Sequence, residues 1–237
     1  MEHVISPEHD LSVVIPARNE EEYIKGALDS VAAQTWPIDR LEAVVADNGS
    51  TDGTTDIVRA FASHHADLAV KLAVEPIPGV ARARNAGAKV ATGRLLLFLD
   101  ADSRMAPDLA EQVIRAGKAH RAGSIRIIAD SNDRLNRGFF NLLEFGKVLF
   151  HIRAQMFYCE RDLFLRHGGY DEDLQVAEDK EFLKRLQRSG IDVCHVTSSW
   201  IATSTRRLDS APFRLGLLAT FGRWAMAQAG IGRRWRY

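Results

Sequence analysis

The stretch GVARARNAGAKVATGRLLLFLDADS, residues 79–103, decides the fold. Residues 80–91 read as a helix, and after Thr92-Gly93 the aliphatic run 95–99 reads as a strand that stops abruptly at Asp100. A short continuous aliphatic run suits a strand covered on both faces, and a helix leading into one is half of a strand-helix-strand crossover. Working outward, the preceding residues repeat the alternation. Strands are expected at 11–15, 41–46 and 68–74, a helix near 21–33 carries Tyr23, Ile24, Ala27, Leu28 and Val31 on one face, and a helix after Gly53 turns Ile57, Val58 and Phe61 inward. The expected architecture is α/β, a Rossmann-like and mostly parallel sheet with helices on both faces.

Past residue 107 the pattern loosens. Helices are expected at 107–119, 135–152, 161–167 and 177–189, with strands at 124–129 and 192–196 and a further extended piece at 156–159, an α+β layer laid on the sheet. No repeat and no low-complexity linker interrupts the chain. At 237 residues it makes one generous domain, expected to divide at 11–103, 104–205 and a basic, aromatic helical tail at 206–237. Hydrophobic residues at 46% and charged residues at 26% exclude disordered, collagen-like and coiled-coil classes. Lysine plus arginine (31) equals aspartate plus glutamate (31), so no global basic field holds nucleic acid. From Arg206 onward there are seven arginines and one acid, Asp209, leaving 24 basic against 30 acidic residues before it, a net of −6. Cys159 and Cys194 offer neither a disulfide framework nor a metal-binding pair spacing. The acidic start MEHVISPEHD is unlike a signal peptide, and no apolar run reaches the ~20 residues of a membrane span. A cytoplasmic protein is expected, with peripheral membrane contact open to it.

In open parallel sheets, ligands bind beyond the carboxyl ends of the strands. The polar residues in those places are Pro16-Ala17-Arg18-Asn19-Glu20, Asp47-Asn48-Gly49-Ser50, the helix start 82–87 and Asp100-Ala101-Asp102. Neither GxGxxG nor GxxxxGK[ST] is present, so a nucleotide would be held by something other than a glycine cradle. Asp100 and Asp102 are two apart, and in extended chain both carboxylates would face one cation. Two hard carboxylates with open positions suit Mg²⁺ or Mn²⁺ bridging phosphate oxygens. A simple turn into the next helix satisfies the same pattern.

Together, VVIPARNEEEYI (13–24), VVADNGSTDGT (44–54), the 79–103 stretch and GGYDEDLQVAEDKEFLKRL (168–186) resemble the family 2 inverting glycosyltransferases of the GT-A fold, over about residues 11–190. The resemblance implies transfer of a sugar from a nucleotide diphosphate, UDP above all, to an acceptor hydroxyl, free or lipid-linked. It places Pro16, Ala17, Arg18, Asn19 and Glu20 along the nucleoside, Asp47 on the base and Arg84 over the nucleotide. Asp100 and Ala101 would lie at the ribose and donor, with Asp100 and Asp102 as metal ligands. Gly168, Gly169 and Glu178 would meet the acceptor, and Asp179 would be the catalytic base. Asn48 stands where many relatives have a second acid.

Other residues carry weaker signals. His195 is a candidate third metal ligand or a structural histidine. Arg206 and Arg207 stand where relatives carry a basic element that grips the diphosphate. The aromatic helix 135–152 reads as core, as a homodimer face or as a greasy acceptor channel, and the tail (Phe213, Leu217, Phe221, Trp224 with Arg233, Arg234 and Arg236) as a membrane contact. A nucleotidyltransferase shares the sheet and the carboxylate pair but wants a glycine-rich basic loop where this chain has PARNEE. A sugar-nucleotide-binding module that has lost the reaction is the third reading.

Overall fold

Val13, Val14 and Ile15 are wholly inaccessible, as a strand covered on both faces requires, and the sheet is built around them. In the computed structural model, which describes residues 7–149, 156–174 and 177–206, the elements run β1 (His9–Ala17), α1 (Ile24–Ala32), β2 (Leu41–Asp47), α2 (Thr54–His64), β3 (Ala69–Val74), α3 (Val80–Val90), β4 (Gly93–Phe98), β5 (Ser103–Met105), α4 (Leu109–Ala116), β6 (Ala122–Asp130), α5 (Arg134–Leu149), β7 (Phe157–Glu160), α6 (Arg161–Arg166), α7 (Glu178–Arg188) and β8 (Val193–Ser204). One eight-stranded sheet has the order β3-β2-β1-β4-β7-β6-β8-β5. The first four strands are parallel. Beyond β4 the directions mix: β7 is antiparallel to both neighbours, β8 runs parallel to β6, and β5 closes the edge antiparallel to β8.

Alternate residues of each strand feed opposite layers. Leu11, Val13 and Ile15 pack with α1, α2 and α4 on one face, whereas Val14, Val44, Leu96 and Phe98 pack with α3, α6 and α7 on the other. In the second layer Phe98, Phe157, Phe164, Tyr170 and Phe182 pack ring on ring, with centroids 4.9–6.2 Å apart. Helix α3 is seated by Gly87, where a Cβ would lie 2.5 Å from Val14 Cγ1; any larger side chain lifts the helix off β1.

The structure departs from the sequence reading at several elements. Helix α1 starts at Ile24 because the Tyr23 and Ile24 amides both turn back onto the Glu20 carbonyl at 2.9 Å. Strand β8 continues to Ser204, past the polar run 197–199, which forms a bulge: Ile125 pairs with Val196 but Arg126 with Trp200. Strand β5 was not anticipated; only three residues long, it exists by pairing with that extension. The Asp100–Asp102 segment is a tight turn, closed by the Ser103 amide on the Asp100 carbonyl at 2.9 Å, and not extended chain. Arg207 and the tail 207–237 lie outside the described residues, as do residues 150–152 of the expected aromatic helix.

The loop before α3 is fastened by one side chain. Asn48 Nδ2 donates to the carbonyls of Glu75 and Ile77, each at 2.8 Å, while its Oδ1 accepts the Gly79 amide at 2.7 Å. A carboxylate keeps the acceptor but presents oxygen to two carbonyls. Asn48→Asp is therefore expected to destabilise the protein by about 2–4 kcal/mol in urea unfolding, more than a lost pair of hydrogen bonds alone, because buried acceptors are left facing one another. A change below about 0.5 kcal/mol would show that the clip does not hold the loop.

Candidate functional site

The loops after β1, β2 and β4 emerge side by side, since these strands are neighbours in the sheet. Ala17 is paired with Asp47 across β1 and β2. Asp47 is buried, its carboxylate accepting the Ser50 amide at 3.2 Å and its carbonyl the Glu75 amide at 2.8 Å. The first two loops are stitched together. Asn19 sits in a left-handed conformation, its amide donating to Ser50 Oγ (3.1 Å) and its Oδ1 accepting the Thr51 amide (2.8 Å), while the Glu20 amide donates to Thr54 Oγ1 at 2.8 Å. Arg18 remains exposed at the mouth.

Arg84 joins this edge to the second half of the chain. From the first turns of α3 its Nη2 reaches Asp100 at 2.9 Å, and its Nη1 reaches Glu178 at 2.5 Å and Asp179 at 3.4 Å. The guanidinium lies 5.6 Å from the centre of the Tyr170 ring, which the aromatic cluster supports. Three carboxylates thus gather on one buried cation, whose own ionisation is driven further up by Asp179, Asp100 and Glu178 against the cost of burial. Asp100 and Asp179, 79 positions apart in the chain, share a single guanidinium. Burial, helped by the charge on Asp179 and opposed by Arg84, lifts the Glu178 carboxyl to about 7.

The entry to α7 sets the two acids. Ala177 adopts φ 65°, a left-handed turn, so Glu178 and Asp179 fall in the helix's first turn, where negative charge is favoured. Glu178 is 9% exposed and Asp179 17%, which makes Asp179 the more accessible of the two carboxylates.

The second acid of the turn after β4 has a different partner. Asp102 Oδ2 meets Arg206 Nε at 3.0 Å; the same guanidinium binds Glu20 at 2.6 Å and stacks 4.4 Å from the Tyr23 ring. Its hydrogen bond to Glu20 comes first in holding the Arg206 cation firmly charged. The two carboxylates expected to face one cation are therefore drawn to two different arginines. Among the described residues no three Asp, Glu, His or Cys side chains converge as a ligand set. The donors at hand, Asp100 and Asp102, are hard oxygens on one tight turn, and they fit Mg²⁺ or Mn²⁺ completed by water and a diphosphate. Among the described residues, Arg84 Nε and Glu20 Oε2 at this edge are buried without hydrogen-bond partners, groups that a polar ligand would satisfy.

His195 does not join them. It sits toward the start of β8, its Nδ1 2.8 Å from Ser124 Oγ and its Nε2 3.4 Å from Glu144, at the other end of the strand from the residues beside Asp102. The glycine pair has a packing reason: Gly168 and Gly169 have φ of 77° and 66°, and a Cβ on Gly169 would lie 2.5 Å from Asn85 Oδ1. Asn85, part of the helix start 82–87 but given no role of its own in the sequence reading, clamps this turn to α3 through the Tyr170 amide and carbonyl, both at 2.9 Å. Glu172, held by Arg82 at 2.6 Å, completes the clamp. The available signal was polarity on the buried side of a helix otherwise lined with alanine and glycine.

Comparison with known proteins places this geometry. The model of the family described as Glycosyl transferase family 2 matches residues 12–169. The PGL/p-HBAD biosynthesis glycosyltransferase of Mycobacterium bovis is 32% identical over 180 residues, covering 72% of this chain and 67% of that protein. Glycosyltransferase AglE of Haloferax volcanii is 41% identical over 92 residues, 39% of this chain and 30% of its own length. This chain thus spans under a third of AglE. The mannosyltransferase PcManGT from Pyrobaculum calidifontis, solved with GDP-Man and Mn²⁺, aligns over 93% of this chain and 67% of its own, with TM-score 0.67 and 27% identity. S. aureus TarS 1-349 in complex with UDP aligns over 82% and 60%, with TM-score 0.64 and 22% identity, and shares the fold. The fold is GT-A, and the chain belongs to glycosyl transferase family 2.

Proposed function

We propose that the cleft transfers a sugar from a nucleotide diphosphate, UDP first and GDP second, to an acceptor hydroxyl with inversion. One observation carries the reading: Arg84 draws Asp179, which lies beyond the matched residues 12–169, onto the same guanidinium as Asp100 at the donor edge. Pro16, Ala17, Arg18, Asn19 and Glu20 would line the nucleoside, Asp47 would accept from the base, and Asp100 with Ala101 would flank the ribose and diphosphate. Gly168, Gly169 and Glu178 would border the acceptor.

In the transfer, the acceptor oxygen bonds to the anomeric carbon while the bond to the diphosphate breaks on the opposite side. The hydroxyl proton passes to Asp179, and the electron pair leaves with the nucleoside diphosphate. Asp179 is partly open to the cleft, whereas Glu178 holds its proton up to about neutral pH. Arg206, fixed by Glu20 beside Asp102, puts positive charge at the corner where the leaving diphosphate gains negative charge. A Mg²⁺ or Mn²⁺ ion held by Asp100 and Asp102 would add Lewis-acid stabilisation of the same charge.

A 1–205 catalytic unit, a cytoplasmic setting, a lipid-linked acceptor, a homodimer and a membrane-facing 206–237 tail complete the proposal. No helix among the described residues is long and apolar enough to cross a membrane. The test is product analysis with UDP- and GDP-sugars. Release of nucleoside diphosphate, with the product anomer opposite to the donor's, should require divalent metal and fall at least about a thousandfold in Asp179→Asn, as for loss of a base acting with its positioned substrate. Metal-dependent nucleotide binding should survive in that variant. Retention of configuration, or near-normal turnover of Asp179→Asn, would reject the mechanism.

A further inference from the structure

Helix α5 begins over the end of β6 and encloses an open-sided cavity of about 460 Å³, lined by Ile128, Ala129, Arg134, Arg137, Gly138 and Asn141. Arg134 and Arg137 are exposed and three residues apart, so they sit on one helix face. Among the described residues neither forms an ion pair or a side-chain hydrogen bond. The acids closest in sequence are already engaged. Asp133 Oδ1 accepts the Leu135 and Asn136 amides at 2.7 and 3.2 Å, and Asp130 faces Arg104 at 3.6 Å. Gly138 leaves the mouth clear of the described residues, since a Cβ there would meet none of them within 4 Å.

Two guanidinium forks without a partner among the described residues, beside an amide and over an apolar floor, are the chemistry of a phosphate site. One arginine suffices for a carboxylate; a pair covers the several oxygens of a phosphate. The position matters as much. Ala129 and Asp130 pair with Thr203 and Ser204 of β8. The Ser204 amide donates to the Asp102 carbonyl at 3.1 Å, and Ser103 Oγ lies 3.0 Å from Thr203 Oγ1. Two strand spacings, roughly 10 Å, separate the cavity floor from the turn that carries Asp102.

We propose that this cavity binds a phosphate group of the acceptor, so that the substrate glycosylated here is a phosphorylated molecule whose hydroxyl lies about one sugar's reach from its phosphate. The inference rests on the transferase reading of the neighbouring cleft. Leu135, Leu142 and Phe145 are exposed on the same helix, so the group attached to the phosphate can be apolar or water-soluble.

The test follows arginine side-chain NMR signals of the full chain during titration with inorganic phosphate and glycerol 1-phosphate. A second arm measures sedimentation with phosphatidylcholine vesicles, with and without phosphatidic acid. Saturable shifts of two arginine signals are expected, absent in R134Q/R137Q, with phosphate affinity at least about tenfold weaker in that variant and Mn²⁺-dependent nucleoside diphosphate binding within about twofold, as for loss of charge-assisted bonds at one subsite only. Gly138→Glu, a carboxylate placed in free space beside the guanidiniums, should give the same loss. Vesicle binding that needs phosphatidic acid and both arginines assigns a lipid phosphate; a response to the soluble phosphates alone assigns a water-soluble one. No saturable response in either arm, or an equal response in R134Q/R137Q, overturns the proposal. A silent nucleotide titration with intact phosphate shifts would instead count against the transferase reading and leave this site standing.

Discussion

One buried cation ties residues of the parallel sheet's edge to the start of the last described helix. Arg84 grows from a helix packed on the parallel sheet, yet its partners come from the end of β4 and from the start of α7, nearly a hundred positions later. Taking a guanidinium and the Glu178 and Asp179 carboxylates largely out of water is costly, and their mutual attraction, with that of the half-exposed Asp100, offsets that cost only if all are placed correctly. The surroundings do the placing. Gly87 lets α3 lie flat on β1, Tyr170 and its aromatic neighbours support the guanidinium plane, and Asn85 locks the turn that leads to α7. Arg206 repeats the device on a smaller scale, tying the last described residue back to the first loop and to Asp102.

The electrostatics sort two adjacent acids into different tasks. Glu178, shut away from water beside Asp179, stays neutral to about pH 7 and so relieves the crowding of negative charge. Asp179 keeps access to the cleft. It shares the Arg84 guanidinium with Asp100, so the cation between them offsets the charge of both carboxylates.

Much of this was legible in the sequence. The alternation of buried strands and amphipathic helices announced the parallel half, because both faces of each strand must be apolar and the residues say so. The polar residues after β1, β2 and β4 were likewise visible as interruptions of apolar runs. What was illegible depended on long-range pairing. Strand β5 has too few residues to show a period, and β8 hides half its length behind Thr197, Ser198 and Ser199, which sit in a bulge. The Asp100–Asp102 pair looked like extended chain aimed at one ion, but a single backbone hydrogen bond folds it into a turn whose acids meet two arginines. Asn48 and Asn85 lie in stretches whose polarity reads as ligand-facing; their work is to join backbone segments 27 or more positions away.

The most direct test of the Arg84 hub is the unfolding free energy of Arg84→Met against the unchanged protein from pH 5 to 8. An acid whose folded pKa is raised, as for Glu178, loses stability as pH climbs from its unfolded value through about 7. Without the guanidinium, which opposes the rise, Glu178 resists ionisation more strongly, and the variant's deficit should grow with pH. It is expected to reach about 3–5 kcal/mol at the alkaline end, the usual cost of orphaning a buried charge, and to narrow toward pH 5 as Glu178 takes up its proton. A deficit that is small, or that stays flat with pH, would mean that the three carboxylates are held by something other than Arg84.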